Sequence, residues 1–411
     1  MSASVNTIAS VPGGPAKSPR RTAAWYFYDK KVRSVVVQVA LAACILLAVA
    51  YLARNASRNL NAIGMVTGFD FLWSSAGFDI SWTLIPYSAS DSLARVYVVG
   101  ILNTMLVSVI AIAGATVLGT FIGIMRLSRN WLFSTVAKTY VEIVRNTPAL
   151  LQIVFWFTGI FVLLPKPKES LDLFGLGLFP INNRGFYMPR PLVTEPFWLC
   201  VLGFFLAIAA AVALGRFARN RQRATGLRPF VLPWQVLLVV GVPLVLFQLT
   251  GRPLEWQVPA LKGFNFVGGW NLPPAFLAVL CGLSFYQAAS VAELVRAGIQ
   301  AVPRGQGEAA TALGFKPSRV MRLIVLPQAL RTIIPSMISI WLNIIKESSL
   351  AVAIGFPELI TLFMTTSIEQ GGHAIEKVAM VMAFYTSISL AVAGILNAYN
   401  RHILARGRRN A

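Results

Sequence analysis

Long apolar runs separated by isolated charges dominate this chain. Uncharged stretches lie between Arg33 and Arg54, Arg95 and Arg126, Arg145 and Lys166, Glu195 and Arg216, Arg228 and Arg252, Lys262 and Glu293, and Lys377 and Arg401. A helix rising about 1.5 Å per residue needs roughly 20 apolar residues to cross about 30 Å of hydrocarbon, and these runs meet that length. One more run begins after Arg331 and is interrupted by Lys346 and Glu347, an interruption that reads as functional rather than terminal. The pattern predicts an all-α polytopic membrane protein with about eight transmembrane helices.

Polar side chains are unevenly shared among the runs. Those at 96–125, 139–164, 274–299, 332–356 and 378–400 are dense in them, whereas 35–54, 196–215 and 229–251 are plain. Polar groups are costly in hydrocarbon and gather where helices face one another or a water-filled cavity. The five polar runs therefore form a candidate core, in two parts at 96–164 and 274–400. The span at 35–54 and the hairpin at 195–251 read as peripheral, lipid-facing additions. A leader at 1–34, partly disordered by composition, and a basic tail at 401–411 complete the chain. The apolar run after the leader starts too late for a secretory signal, so an uncleaved span is expected. The intervening segments 55–94, 165–194 and 252–273 are rich in Gly, Pro, Trp and Asn. They predict compact loops or short interfacial helices, with Trp73, Trp82, Trp256 and Trp270 at headgroup level.

Depth follows from the helical rise. Asn103 and Thr104 fall about 12 Å or slightly more from the boundary at Arg95, Gln287 about 13 Å from Arg296, and Asn343 about 18 Å from Arg331. All four converge on the bilayer midplane and are candidate solute-pathway residues. Lys346 lies about 22 Å from Arg331, followed by Glu347, Ser348 and Ser349. Lys346 and Glu347 have two readings, a local charge pair that snorkels or caps a helix break and a direct contact with solute. Either reading predicts a break in this helix. Ser348 and Ser349 join the pathway candidates.

Composition agrees with lipid as the main solvent, since 56% of residues are hydrophobic and only 12% charged, against about 25% charged in soluble domains. The net charge of +21 could point to nucleic acid. However, if the spans alternate from a cytoplasmic N-terminus, most Lys and Arg fall in 1–35, 126–138, 216–228, 296–331 and 401–411, while most acids fall on the opposite side. That is the positive-inside signature, and it predicts both termini on the cytoplasmic side. Cys44, Cys200 and Cys281 lie inside apolar runs at unrelated spacings and read as small buried hydrophobes. His373 and His402 are too far apart in sequence to complete a ligand cluster with them, so no metal site is expected.

The cytoplasmic segment 303–331 is punctuated in an informative way. Pro303, Gly305 and Gly307 turn the chain, and Glu308 to Leu313 suits a short helix with Ala309, Ala312 and Leu313 on one apolar stripe. Gly314 suits a left-handed terminator, and Pro317-Ser318 a new helix start. A helix of two turns is marginal alone in water and needs a surface to rest on. Upstream, RNTPALLQ at 145–152 suits a helix start with Thr147 capping and Pro148 in the first turn. Glu142 and Arg145 read as headgroup-level anchors, and Glu293 with Arg296, three apart, as an intrahelical ion pair.

Glu308-Ala309-Ala310, Gly314, Ile324, Leu326 and Pro327 resemble the EAA loop of the membrane subunits of ABC-type importers. AELVRAGIQAV at 292–302, LPQALRTIIP at 326–335, NIIKESSL at 343–350 and VRNTPALLQ at 144–152 are similar to the polar amino-acid permease branch. The first span and the hairpin resemble the longer subunit of general L-amino acid permeases. The resemblance implies a type I importer subunit of the bacterial inner membrane, moving L-amino acids from periplasm to cytoplasm. It implies that Glu308, Ala309, Ala310 and Gly314, with Leu313, Leu326 and Pro327, form a coupling helix docked on a cytoplasmic ATPase. It further implies a second homologous permease subunit, as a heterodimer, and a periplasmic solute-binding protein. This chain is then no enzyme and carries no cofactor, ATP and Mg belonging to the partner; no G-x-x-x-x-G-K-[ST] loop occurs in it. Asn146-Thr147-Pro148 and Ser348-Ser349-Leu350 depart from the family's Gly-Thr-Pro and Thr-Ser-Leu while keeping the hydrogen-bonding groups.

A secondary carrier driven by an ion gradient is the competing reading, with Glu142, Glu293 or Lys346-Glu347 coupling the ion. It requires an inverted repeat and acids near the midplane, and neither pattern is evident. A membrane-embedded enzyme would need a nucleophile or metal cluster that the sequence does not offer.

Overall fold

The computed structural model describes residues 30–62, 68–227 and 229–409. These fall into two units, one ending at Phe69 and one beginning at Asp70. The first contains helix α1, Lys30–Ala62, within which Val32–Leu52 is apolar enough to cross a bilayer. Most of the leader at 1–34 lies outside the described residues. Cys44, expected as buried, is exposed on α1; a helix in lipid need not turn its small apolar residues toward protein.

The second unit opens with a short turn, Asp70–Trp73, and the long helix α2, Leu93–Arg126, whose N-terminus is capped by the Ser92 hydroxyl. Next come α3, Trp131–Arg145, and α4, Ala149–Val154, which continues as a π-helical turn, Phe155–Phe161. The hairpin is α5, Phe197–Thr225, returning through α6, Leu232–Val236, a π turn, and α7, Val242–Leu249. Helix α8, Pro274–Gln300, leads to α9, Arg304–Ala312, and α10, Pro317–Val320. A π turn then joins α11, Leu326–Glu347, followed by a 3-10 segment, Ser348–Ile354. Another π turn, Ile360–Thr366, leads through α12, Ser367–Gly371, to α13, Ala374–Arg409.

Seven helical stretches among the described residues are long and apolar enough to span, one fewer than the run pattern suggests. The apolar run after Arg145 is the shorter one, reduced to Ala149–Phe161, or about 20 Å of rise. Pro148 sets its start. Its ψ of 139° departs from helical geometry and separates α3 from α4. Thr147 does not cap the new helix as expected. Its hydroxyl donates to Ile143 O at 2.8 Å and so finishes the previous one, a back-bond open to Thr at a helix end.

The segments 165–194 and 252–273 form strands instead of interfacial helices. Strands β1, Leu171–Asp172, β2, Pro180–Asn182, β3, Gly185–Met188, and β4, Arg190–Val193, precede the hairpin. Strands β5, Leu254–Gln257, β6, Ala260–Lys262, β7, Asn265–Val267, and β8, Trp270–Leu272, follow it. The largest sheet has the order β1-β2-β3-β8, and β4 pairs antiparallel with β5 from Arg190↔Gln257 to Val193↔Leu254. Strands this short carry no legible alternation, and the partners of β3 and β4 lie on the far side of an inserted hairpin, so local pattern cannot reveal them. The β4–β5 ladder closes the base of the hairpin, making 197–249 an excursion that leaves and re-enters at one place.

The core lies between α2 and α8. Gly119 and Gly123 let their backbones approach: a Cβ at Gly119 would meet Ala288 O at 2.6 Å, and one at Gly123 would meet Ala292 O at 2.8 Å. Close approach through small residues is how helices gain contact in lipid, where there is no hydrophobic drive between them. Val107, Ala111, Ala115, Phe276, Val279 and Leu283 fill the centre of this seam. Ala329, Ile333 and Met337 of α11 pack on Val291 and Val295 of α8, the valines that also border Gly119 and Gly123 of α2. Trp82 joins this core and does not sit at headgroup level. Its indole N–H donates to Asn271 O at 2.8 Å and its ring packs on Phe276 and Phe356. Trp73, Trp256 and Trp270 are exposed.

Candidate functional site

The residues predicted near the midplane divide into two groups. Asn103 and Thr104 of α2 are fully buried and serve the fold. Asn103 Nδ2 donates to Pro357 O at 2.8 Å and Trp82 O at 3.2 Å. Thr104 Oγ1 accepts from Leu359 N at 3.0 Å. Together they fasten α2 to the turn Gly355–Leu359, where the backbone leaves helical hydrogen bonding and would otherwise leave amide groups unpaired in hydrocarbon. Gly355 enters that turn with φ of 68°, a conformation in which a side chain is strained. Glu358, fully buried, completes it. Its carboxylate accepts from Ile360 N at 2.9 Å, Thr361 N at 2.7 Å and Thr361 Oγ1 at 3.0 Å, an acidic cap on the following helical turn. In sequence, Glu358 is marked only as a carboxylate directly after Pro357 and before an apolar run.

Gln287 and Glu347 form the second buried link. Gln287 Nε2 donates to Glu347 Oε2 at 2.6 Å, tying α8 to α11. The pairing of Lys346 with Glu347 is thereby replaced, because consecutive helical residues point about 100° apart. Glu347 turns inward toward α8, and Lys346 is exposed. Ser348 and Ser349 donate to Ile345 O and Lys346 O at 2.7 and 2.6 Å, closing the end of α11. The predicted helix break is where α11 gives way to the 3-10 segment.

Asn343 and Lys346 belong to a longer row that the single-residue reading missed. Thr332, Ser336, Ser339, Asn343 and Lys346 are all exposed on α11. At about 100° per residue they fall within an arc of about 80°. The other side carries the buried Ile333, Met337, Ile338, Ile344 and Ile345. A membrane-crossing helix thus presents an uncovered polar stripe. The signal in sequence was spacing of three and four among hydroxyl and amide residues.

At the basic end of the core, Glu293 and Arg296 form the expected ion pair, and Arg126 of α2 joins the same carboxylate. This strut crosses between α2 and α8, next to the segment that leads into α9.

Helix α9 begins at Arg304, four residues before the predicted start, so Gly305 and Gly307 lie inside it and do not form a turn. The stripe of Ala309, Ala312 and Leu313 does not rest on the chain's own residues. Ala310 is buried, while Glu308, Ala309, Ala312 and Leu313 are exposed, with Leu313 at 78%. A Cβ at Gly307 would meet Val320 Cγ1 of α10 at 3.8 Å, so this side of α9 lies against α10. Gly314 terminates the helix with φ of 81° and open space around it, so the backbone and not crowding requires glycine. Leu326 and Pro327 start α11, Pro327 in its first turn and both exposed.

Residues 200–406 match the family described as binding-protein-dependent transport system inner membrane component. The protein YhdX of Escherichia coli is 44% identical over 377 residues, covering 92% of this chain and 95% of that one. The general L-amino acid transport system permease protein AapQ of Rhizobium johnstonii is 43% identical over 389 residues, covering 93% and 96%. The glutamate/glutamine/aspartate/asparagine transport system permease protein BztB of Rhodobacter capsulatus is 38% identical over 410 residues, again covering 93% and 96%.

Proposed function

This chain belongs to the family of binding-protein-dependent transport system inner membrane components, and from that membership we propose that it is the transmembrane subunit of an ATP-binding-cassette importer for L-amino acids. It is a multi-pass protein of the inner membrane and a transport subunit, with hydrolysis on a separate ATPase. Its termini face the cytoplasm, as the distribution of Lys and Arg favours.

The polar stripe of α11 carries this reading. Thr332, Ser336, Ser339, Asn343 and Lys346 are exposed along a helix that must cross hydrocarbon, and lipid is a poor cover for an ammonium and an amide. A second, homologous permease subunit supplies the other wall, and solute passes between the two stripes. Asn343 and Lys346 line that passage. Asn103, Thr104, Gln287, Ser348 and Ser349 shape it from behind by holding α2, α8 and the end of α11 in place.

Helix α9 is the coupling element. Ala309 and Leu313 are exposed and small or apolar enough to enter a groove on a cytoplasmic ATPase, with exposed Glu308 beside them, while Ala310 seats the helix on its own chain and Gly314 ends it. Leu326 and Pro327 carry its displacement into α11, so that nucleotide-driven closure tilts the stripe and exchanges access between the two sides. ATP and Mg stay on the ATPase, and a periplasmic solute-binding protein delivers the amino acid.

Purification from native membranes tests this assembly. Recovery with an ATPase and a second permease, and ATP-dependent amino-acid uptake into liposomes given the solute-binding protein, is the expected result. A lone chain that transports on an ion gradient and ignores ATP would overturn it.

A further inference from the structure

The hairpin 197–249 takes no part in the passage or the coupling helix, and its charge is distinctive. Between Glu195 and Glu255 the chain has no acidic residue, while Arg216, Arg219, Arg221 and Arg223 crowd into the last turns of α5. All four are exposed. The ion pairs among the described residues do not include any of them. Arg219 alone turns one N–H back, to Gly215 O at 3.3 Å.

Their direction and depth are defined by the packing of α5. The helix turns Cys200, Gly203, Ala207, Ala211 and Ala218 inward as its buried seam. At about 100° per residue, Arg216, Arg219 and Arg223 lie within about 60° of one another and on the side away from that seam. The same outward face continues along the helix as Leu202, Phe205 and Val212, all exposed and apolar. From Phe197 to Gly215 the helix rises about 28 Å, close to the thickness of a hydrocarbon layer, so Arg216 marks its edge and the others the headgroup zone. Exposed Phe217, Leu227, Phe230 and Trp234 surround the same end, the residue types that settle at a membrane interface.

We infer that Arg216, Arg219 and Arg223, with the apolar face beneath them, form a binding site for an anionic phospholipid whose phosphate the guanidinium groups hold and whose acyl chains lie along Val212 and Phe205. The planar fork of Arg matches phosphate oxygens in pairs, and clustered basic residues next to a membrane span attract anionic lipid. Continuity of the arginine arc with a lipid-facing apolar stripe favours a bilayer lipid over a nucleic acid or an acidic protein.

The test uses the full chain with its co-purifying subunits in nanodiscs of phosphatidylglycerol and phosphatidylcholine. Retained lipid is counted by native mass spectrometry after exchange into detergent. The wild type retains phosphatidylglycerol over phosphatidylcholine by at least about tenfold, and R216Q/R219Q/R223Q abolishes that preference. Equal retention of the two lipids by the wild type, or an unchanged preference in the triple variant, overturns the site. Should the variant fail to insert, an arm that leaves the arginines intact decides. The fluorescence of Trp234, taken as wild type minus W234F, is quenched more by brominated phosphatidylglycerol than by brominated phosphatidylcholine if the site exists, and equally if it does not.

Discussion

Gln287 and Glu347 meet across 2.6 Å between α8 and α11, and this one hydrogen bond separates the inward face of α11 from its polar outward face. With the carboxylate held by Gln287, the neighbouring Lys346 is left to face outward beside Asn343. Stranding a buried polar group by removing its partner costs about 1–3 kcal/mol. Gln287→Leu is expected to lower the melting temperature of the purified complex and to impair uptake, whereas Gln287→Glu puts two carboxylates in one site that hold together only by sharing a proton, so its melting temperature falls as pH rises. Unchanged melting in both variants, read by intrinsic fluorescence in detergent, would remove Gln287 from this role.

Lys346→Leu and Asn343→Leu are expected to behave differently from changes behind the passage. Both residues are exposed on α11, so their loss leaves assembly and melting unaltered but raises the KM or lowers the rate of solute-dependent uptake. Transport kinetics equal to wild type in both variants count against a passage along this face.

Asn103→Leu and Thr104→Val should act on stability first. Each strands backbone groups of the 357–359 turn that now have partners, and an unsatisfied buried polar group costs about 1–3 kcal/mol. The measurement is the yield of folded protein and its thermal midpoint. A normal midpoint with altered solute selectivity would move these residues into the passage.

Gly119→Val forces a side chain against Ala288 O, which a Cβ alone would reach at 2.6 Å. Overpacking of this kind costs about 1–3 kcal/mol or more, because the obstacle is backbone and cannot rotate away. Loss of membrane-inserted protein is expected, and wild-type levels would mean that α2 and α8 separate more easily than their packing indicates.

Glu308→Lys and Leu313→Asp change exposed residues of α9 without touching its buried contact at Ala310. Insertion and melting are expected to stay normal while the ATPase is lost from pull-downs. Gly314→Val adds strain of about 1–2 kcal/mol from its positive φ and should weaken association by loosening the helix end. Retention of the ATPase by all three variants would refute the docking role.

What was legible along the chain was whatever depends on near neighbours. Apolar runs marked the membrane-crossing helices, because a span must satisfy its own backbone and show lipid an apolar surface whatever lies beside it. Gly314 and Pro317 marked the end of α9 and the start of α10, since φ preference is a property of the residue itself. The break expected near Lys346-Glu347 falls where α11 gives way to the 3-10 segment.

Only the tertiary structure decided which polar residue meets which. Glu347 looks paired to Lys346 in sequence, yet its partner is Gln287, brought from sixty positions away by the packing of α8 on α11. Asn103 and Thr104 have the same polarity and depth as Asn343, yet the former hold a turn and the latter faces outward. The β4–β5 ladder at the base of the hairpin was likewise invisible, since its strands are separated by the whole insertion. Periodicity and composition determine that a residue prefers to be in helix, in lipid or at an edge. Which group satisfies it depends on the rotation of one helix against another, and that rotation is set by contacts such as Gly119 on Ala288, which no local pattern encodes.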